Sequence, residues 1–220
     1  ANYLGFTLAA LSGSASNSND ERNEIIHAAD LSYGGFDFVK LGTTFASNQP
    51  GIEGVARTTL ASLRLQPSYW NFDGYAEYGI KSNKDIQSQI FNDDEWKIGE
   101  AFYGSLNFYY DAFSIVGEYK YYDNYAFTSN DGTIFYNTAP SLRKEYTYQL
   151  LNRHPSPLNQ SNEEGFAVEA NFNFSDETSI VANYGITQTL PTSSYYQRVN
   201  SLSLPITTQL KEIYLQATHT

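Results

Sequence analysis

The sequence predicts an all-β protein: an antiparallel transmembrane β-barrel, whole or in part, with short periplasmic turns and long extracellular loops. Three observations carry that prediction. Apolar and polar residues alternate with a period of two along most of the chain. The best segments run about 9–11 residues, the length of a tilted strand crossing hydrocarbon and longer than the common globular strand. Short and long connections follow one another in strict order.

The alternation is clearest in the middle and late parts of the chain. From Trp70 to Lys81 one face reads Trp70, Phe72, Gly74, Ala76, Tyr78, Ile80, and the other Asn71, Asp73, Tyr75, Glu77, Gly79, Lys81. Successive side chains on a strand point to opposite faces, so the segment has one apolar and one ionisable side. Phe102 to Tyr110 repeats the pattern, and Phe113 to Tyr122 sets Phe113, Ile115, Gly117, Tyr119 and Tyr121 against Ser114, Val116, Glu118, Lys120 and Tyr122. In the later pair, Phe166, Val168, Ala170, Phe172 and Phe174 are answered by Ile180, Ala182, Tyr184 and Ile186. Glu169, Asn171 and Asn173 line the polar side of that pair. Weaker strands are expected at Tyr3–Leu11, Ile25–Tyr33, Phe36–Ala46 and Thr58–Leu65, and two more at Tyr195–Leu204 and Gln209–Ala217.

Tight turns are expected at Gly34-Gly35, Pro67-Ser68, Asp111-Ala112 and Ser175-Asp176-Glu177. Between them lie long polar segments, Ser12–Asn23, Ser47–Arg57, Ser82–Gly99 and Asn124–Gly165. A transmembrane barrel sorts its loops this way because one end faces the periplasm and the other the outside. The chain reads as one domain over residues 1–220, with 124–165 as one long connection. Within it, Glu145–Asn152 has the composition of another strand, but counting it as one breaks the alternation of the turns that follow. It is read as a short ordered piece that folds back into the lumen or lies over its mouth.

An alternating strand says only that one face is dry. Strand length, loop order and aromatic residues near strand ends (Trp70, Phe102, Tyr110, Phe113, Tyr121, Phe174) assign that face to lipid rather than to a second sheet. The lipid-facing set is then Phe102, Leu106, Phe108, Ile115, Val168, Phe172, Ile180 and Ile186. The lumen-facing set is Asp73, Glu77, Lys81, Glu118, Lys120 and Glu169, with Glu118 near Lys120 and Lys81 near Asp73 or Glu77. Such a lumen is either a weakly selective polar pore or is cross-linked shut by ion pairs.

Composition narrows the function classes. A net charge of -11 opposes nucleic-acid binding, whose surfaces are basic. With no Cys there is no disulfide and no thiol chemistry. With no Met, Ala1 is not a translation start, which fits a lost signal peptide or a piece of a longer protein. Eleven expected strands and an end (Gln216-Ala217-Thr218-His219-Thr220) lacking a terminal aromatic residue suggest that more chain, or a partner subunit, completes the wall.

The only histidines, His27, His154 and His219, have no metal-ligand spacing. His154 with Ser156 or Asp131 is the one arrangement that a rim hydrolase would use, and nothing selects it, so no catalytic residue, enzyme activity, metal or cofactor is expected. The oxygen-rich clusters Ser16–Asp20, Asn92–Glu95 and Ser129–Gly132 match no EF-hand spacing. They read as solvated loops, able at most to meet divalent cations bridging lipopolysaccharide. Gly34-Gly35 is a hairpin turn and not a phosphate cradle. The expected partners are outer-membrane lipid and lipopolysaccharide, together with further barrel subunits or a surface complex.

The run GEAFYGSLNFYYDAFSIVGEYKYYDNYAF, continued by NTAPSLRKEYTYQLLNRHPSPLNQSNEEGFAVEANFNF, resembles an uncharacterised family of outer-membrane barrel proteins from Bacteroidetes and related bacteria. The marks are Gly99-Glu100-Ala101 opening a strand, Asp123-Asn124 closing its partner, and Tyr146–Pro155 followed by Glu164-Gly165-Phe166. The resemblance, mainly over residues 100–185, implies a location in the bacterial outer membrane and a barrel fold, and no activity. The expectation is a porin or channel-like protein or a structural membrane component. The alternatives are a secreted soluble β-sandwich or lectin-like module that binds glycans through its aromatics, and a barrel that scaffolds a surface complex.

Overall fold

In a computed structural model, residues 5–17, 22–50, 57–82, 97–129, 134–142, 158–159, 161–190 and 207–219 are described. They form ten strands: β1 (Phe6–Asn17), β2 (Arg22–Tyr33), β3 (Val39–Gln49), β4 (Thr58–Tyr69), β5 (Phe72–Ser82), β6 (Lys97–Tyr110), β7 (Phe113–Asp123), β8 (Asn162–Ser175), β9 (Thr178–Thr189) and β10 (Gln209–His219). Each pairs antiparallel with the next, giving one sheet in the order β1 to β10. The described residues contain no helix. The fold is thus all-β and antiparallel, and β1 and β10 are its two edges, with no ladder joining them among the described residues. The expected strand at Tyr195–Leu204 and the piece Glu145–Asn152 lie outside the described residues.

Register settles the two faces. Leu65 pairs with Ala76, Ala76 with Gly104, Gly104 with Tyr119, and Tyr119 with Phe166, so one apolar row crosses β4 to β8. Ser62, Gly79, Ala101, Tyr122 and Glu163 form the corresponding row on the other face of β4 to β8. The first face is bare: Ile213 is 83% exposed, Leu8 74% and Leu63 69%. The second, which we call the inner face, carries the buried residues Leu60, Ala101, Lys120 and Glu163.

From β3 onward the links sort by end as expected, while the first two, 18–21 and 34–38, are both short. At one end they are 34–38, 70–71, 111–112 and 176–177; at the other they are 18–21, 50–57, 83–96, 124–161 and 190–208. Two expectations need correcting. Ser12–Asn23 is not a long loop, because Ser12, Ser14 and Ser16 stay in register with His27, Ile25 and Asn23 and carry the ladder to Asn17. A backbone ladder needs no apolar side chains, and polarity alone misplaced this boundary. Pro67-Ser68 is likewise not a turn, since both lie within β4. The β4–β5 register passes from Leu65↔Ala76 to Ser68↔Asp73, leaving Pro67 without a partner on β5. Proline has no N–H for that ladder, so it marks a gap in pairing and not a reversal of the chain. The reversal falls at 70–71, and Trp70, assigned by alternation to a strand, sits in the turn with φ of 54°. Left-handed backbone at such a residue costs roughly 1–2 kcal/mol. Asp111 opens the next turn at that end in the same way, with φ of 50°.

Candidate functional site

The chain leaves β7 through Asn124, whose φ of 52° turns it away from the strand direction. Asn124 is held there by two bonds: its Nδ2 donates to the Ile98 carbonyl at 2.7 Å, and its backbone N–H donates to Asn162 Oδ1 at 2.9 Å. The next residues lie against the inner face. Tyr125 and Phe127 join Leu60 and Ala101 in the buried apolar cluster, with Ile26, Ala46, Tyr122 and Tyr136 packed around it. Tyr122 and Tyr125 meet edge to face with ring centroids 5.7 Å apart, and Phe127 and Tyr136 do so at 5.2 Å.

Gly79 makes room for this packing. A Cβ there would stand 2.1 Å from the Tyr125 hydroxyl oxygen. Gly79→Val is therefore expected to expel the Tyr125 ring, at a cost of about 1–3 kcal/mol. Chymotrypsin should then cut at Tyr125 or Phe127 faster than in the unaltered protein, and unchanged cleavage would refute this packing. Burial, and then the nearby Glu77 charge, raise the Tyr125 phenol above its ordinary range, so it stays neutral.

Four polar side chains of the sheet fasten the segment. Lys81 Nζ donates to the Ala126 carbonyl at 2.7 Å, and Lys120 Nζ to that of Pro140 at 2.6 Å. Asn48 Nδ2 donates to the Thr128 carbonyl at 3.3 Å, and the Tyr136 hydroxyl to Glu24 Oε2 at 3.0 Å. Backbone carbonyls crossing a sheet face have no ladder partners of their own, and Lys81, Lys120 and Asn48 supply donors to three of them.

The six residues expected to face a lumen share the inner face of the sheet, on β5, β7 and β8. Their partners differ from those expected. Lys120 pairs with Glu163, not Glu118; both side chains are essentially fully buried. Glu118 instead accepts from the Tyr103 hydroxyl at 2.8 Å. Lys81 bonds the inserted segment and not Asp73 or Glu77. Glu77 accepts from Ser62 Oγ at 2.5 Å and from the Tyr75 hydroxyl. Asp73 accepts from Asn107 Nδ2 at 3.1 Å, and Glu169 from Asn171 and Asn183, each at 3.4 Å. Sequence spacing paired residues two to eight apart on one strand; the sheet also brings partners from neighbouring strands, as Glu163 to Lys120.

Sequence reasoning missed the pair Arg64–Asp30, with Nη2 2.8 Å from Oδ2 and Thr44 Oγ1 donating to the same oxygen at 2.6 Å. Both residues sit at inner-face positions that strict alternation would have found. Glu163 was missed because its strand was taken to begin at Phe166, four residues after its true start at Asn162.

All eight residues expected to meet lipid lie on the opposite, outer face. Tyr78, Phe102, Tyr119, Tyr121 and Phe166 lie toward the long-link end of that face, and Tyr69, Phe72, Phe108, Tyr110, Phe113 and Phe174 toward the short-turn end. Ala76, Leu106, Gly117, Val168 and Ala170 fill the band between. Phe102 and Tyr110 on one strand are separated by roughly 27 Å at 3.4 Å per residue. Beyond the upper aromatics come Glu100, Asp123, Glu164 and Gln188, where polarity returns.

His27 faces Ser12, with Nδ1 3.2 Å from Oγ, and His219 faces Thr178 at 2.9 Å. Among the described residues no three His, Asp or Glu side chains are grouped to hold a metal ion. His154, Ser156, Asp131, most of the Ser16–Asp20 cluster and all of Asn92–Glu95 lie outside the described residues.

These features define a class: an all-β protein built on one two-faced antiparallel sheet, with a long connection folded onto its polar face. The chain belongs to the family of unknown function DUF6029, whose model matches residues 7–216. No curated protein matches it.

Proposed function

We propose that this protein is a bacterial outer-membrane β-barrel component, porin-like in its wall and narrowed inside by residues 124–129 and 134–142. The outer face carries this reading. Ten strands about 4.8 Å apart, with an apolar band about 25 Å tall, present roughly 1,200 Å² of apolar surface. A soluble monomer rarely exposes more than a few hundred square ångströms in one patch. Two aromatic belts bounding an aliphatic band are what a lipid bilayer selects, since ring edges with a polar tip favour the headgroup level. The order of the links from β3 onward supports the same reading, with short turns on the periplasmic side and long links outside.

Hydrocarbon admits no unpaired strand edge. In the membrane β1 and β10 therefore meet each other, or further strands from this chain or another subunit come between them. The inner face carries more carboxylates than cations, which favours passage of small cations or neutral polar solutes over anions. The soluble-sandwich alternative requires a second sheet over the apolar face, and the described residues form a single sheet.

The test is electrophoretic. The intact protein should need detergent to stay monodisperse and should migrate faster unboiled than boiled, because a closed barrel resists the denaturing detergent until heated. A monodisperse detergent-free preparation, migrating identically in both states, would overturn the reading.

A further inference from the structure

Between the sheet and its covering segment lies a cavity of about 540 Å³, within the size range of small-molecule sites. A barrel lumen is ordinarily polar, yet much of this wall is hydrocarbon. Leu11, Ile26, Ala28, Ala46 and Leu60 provide the floor from β1 to β4, and Phe127 and Tyr136 reach it from the inserted segment. These side chains leave a void instead of closing on one another. The polar groups of its lining include Thr44, Ser62, Glu77 and Tyr103 from the sheet and Asn137 and Thr138 from the inserted segment.

Among the described lining residues Glu77 is the only carboxylate, and there is no lysine or arginine. Its two acceptor bonds, from Ser62 and Tyr75, leave unused part of the roughly four lone-pair sites of a carboxylate. We propose that the cavity binds a small molecule with an apolar body and a cationic, hydrogen-bond-donating end, the body lying on the Leu60 floor and the donor meeting Glu77. Charge complementarity selects the end. Arg64, the cross-strand partner of Glu77, is bound through its guanidinium to both carboxylate oxygens of Asp30. An anion would therefore face Glu77 with no lysine or arginine among the described lining residues. The site is built by the sheet and its segment, so it does not depend on what bathes the outer face.

The probes are 4-phenylbutylamine and its anionic counterpart 4-phenylbutyrate, titrated by calorimetry into the full folded chain in whichever medium keeps it monodisperse. The amine should bind saturably and the carboxylate at least tenfold more weakly. Glu77→Gln should weaken the amine about tenfold, because the bond to a charged acceptor is lost. Ala28→Phe, which fills the floor from a half-buried position, should abolish binding of the amine while leaving the unboiled gel mobility or thermal transition intact. No saturable binding, equal affinity for the two probes, or undiminished binding to Ala28→Phe would each overturn the proposal. Binding that persists in a detergent-free preparation would support the site while removing the membrane reading.

Discussion

Ala170→Arg is expected to weaken insertion of the folded protein into vesicles by roughly 2–4 kcal/mol, and Asn171→Arg, one residue along, by far less. Ala170 lies between Ile115 and Ala182 in the middle of the outer apolar band, so in the proposed barrel a guanidinium there would have only hydrocarbon around it. Asn171 points to the inner face and donates to Glu169 Oε1, so an added cation meets a carboxylate already in place. A soluble sheet would also penalise charge at Ala170, and the deciding measurement uses labels. With no native Cys, single cysteines at Val168 and Asn171 can each carry a fluorophore. A lipid-confined quencher should quench the label at Val168 and spare that at Asn171. Quenching at neither position removes the bilayer from the account.

The second large effect concerns the buried ion pair. Lys120 and Glu163 are both 0% exposed. Removing one partner strands the other charge away from water, and such changes cost about 3–5 kcal/mol. Lys120→Met should therefore lower the urea midpoint of unfolding sharply, and Glu163→Leu should do the same. The double variant should recover most of the loss, because no bare charge remains and two apolar side chains fill the space. Equal destabilisation in the double and single variants would show that the two charges do not act as a pair. Lys120 also donates to the Pro140 carbonyl, so its loss should loosen the covering segment. The single and double variants share that second effect, which bounds how far the recovery can go.

Alternation placed the right residues on the right faces because the side-chain period of a strand is two and tolerates no drift. Val168 and Asn171, or Lys81 and Ile80, could not exchange sides without flipping a whole strand. The end of β7 at Asp123 was also legible, since the apolar alternation stops there. The fastening of the next residues onto the inner face was not. Tyr125 and Phe127 read as ordinary loop aromatics until Gly79, forty-odd residues earlier, is seen to leave the space that Tyr125 enters. Ion pairing failed for a related reason. Lys120 is two residues from Glu118 in sequence, yet burial and the partner carboxylate come from β8.

By itself, then, the sequence determined an all-β antiparallel chain, the facing of its strands and the ordering of its turns, all of which follow from local periodicity and backbone geometry. Only the tertiary structure decided where Trp70 turns, which carboxylate meets Lys120, and that residues 124–129 and 134–142 close over a cavity. Those outcomes depend on register between strands and on contacts across many residues of chain, where each side chain's partner is fixed by the space and charge its neighbours leave.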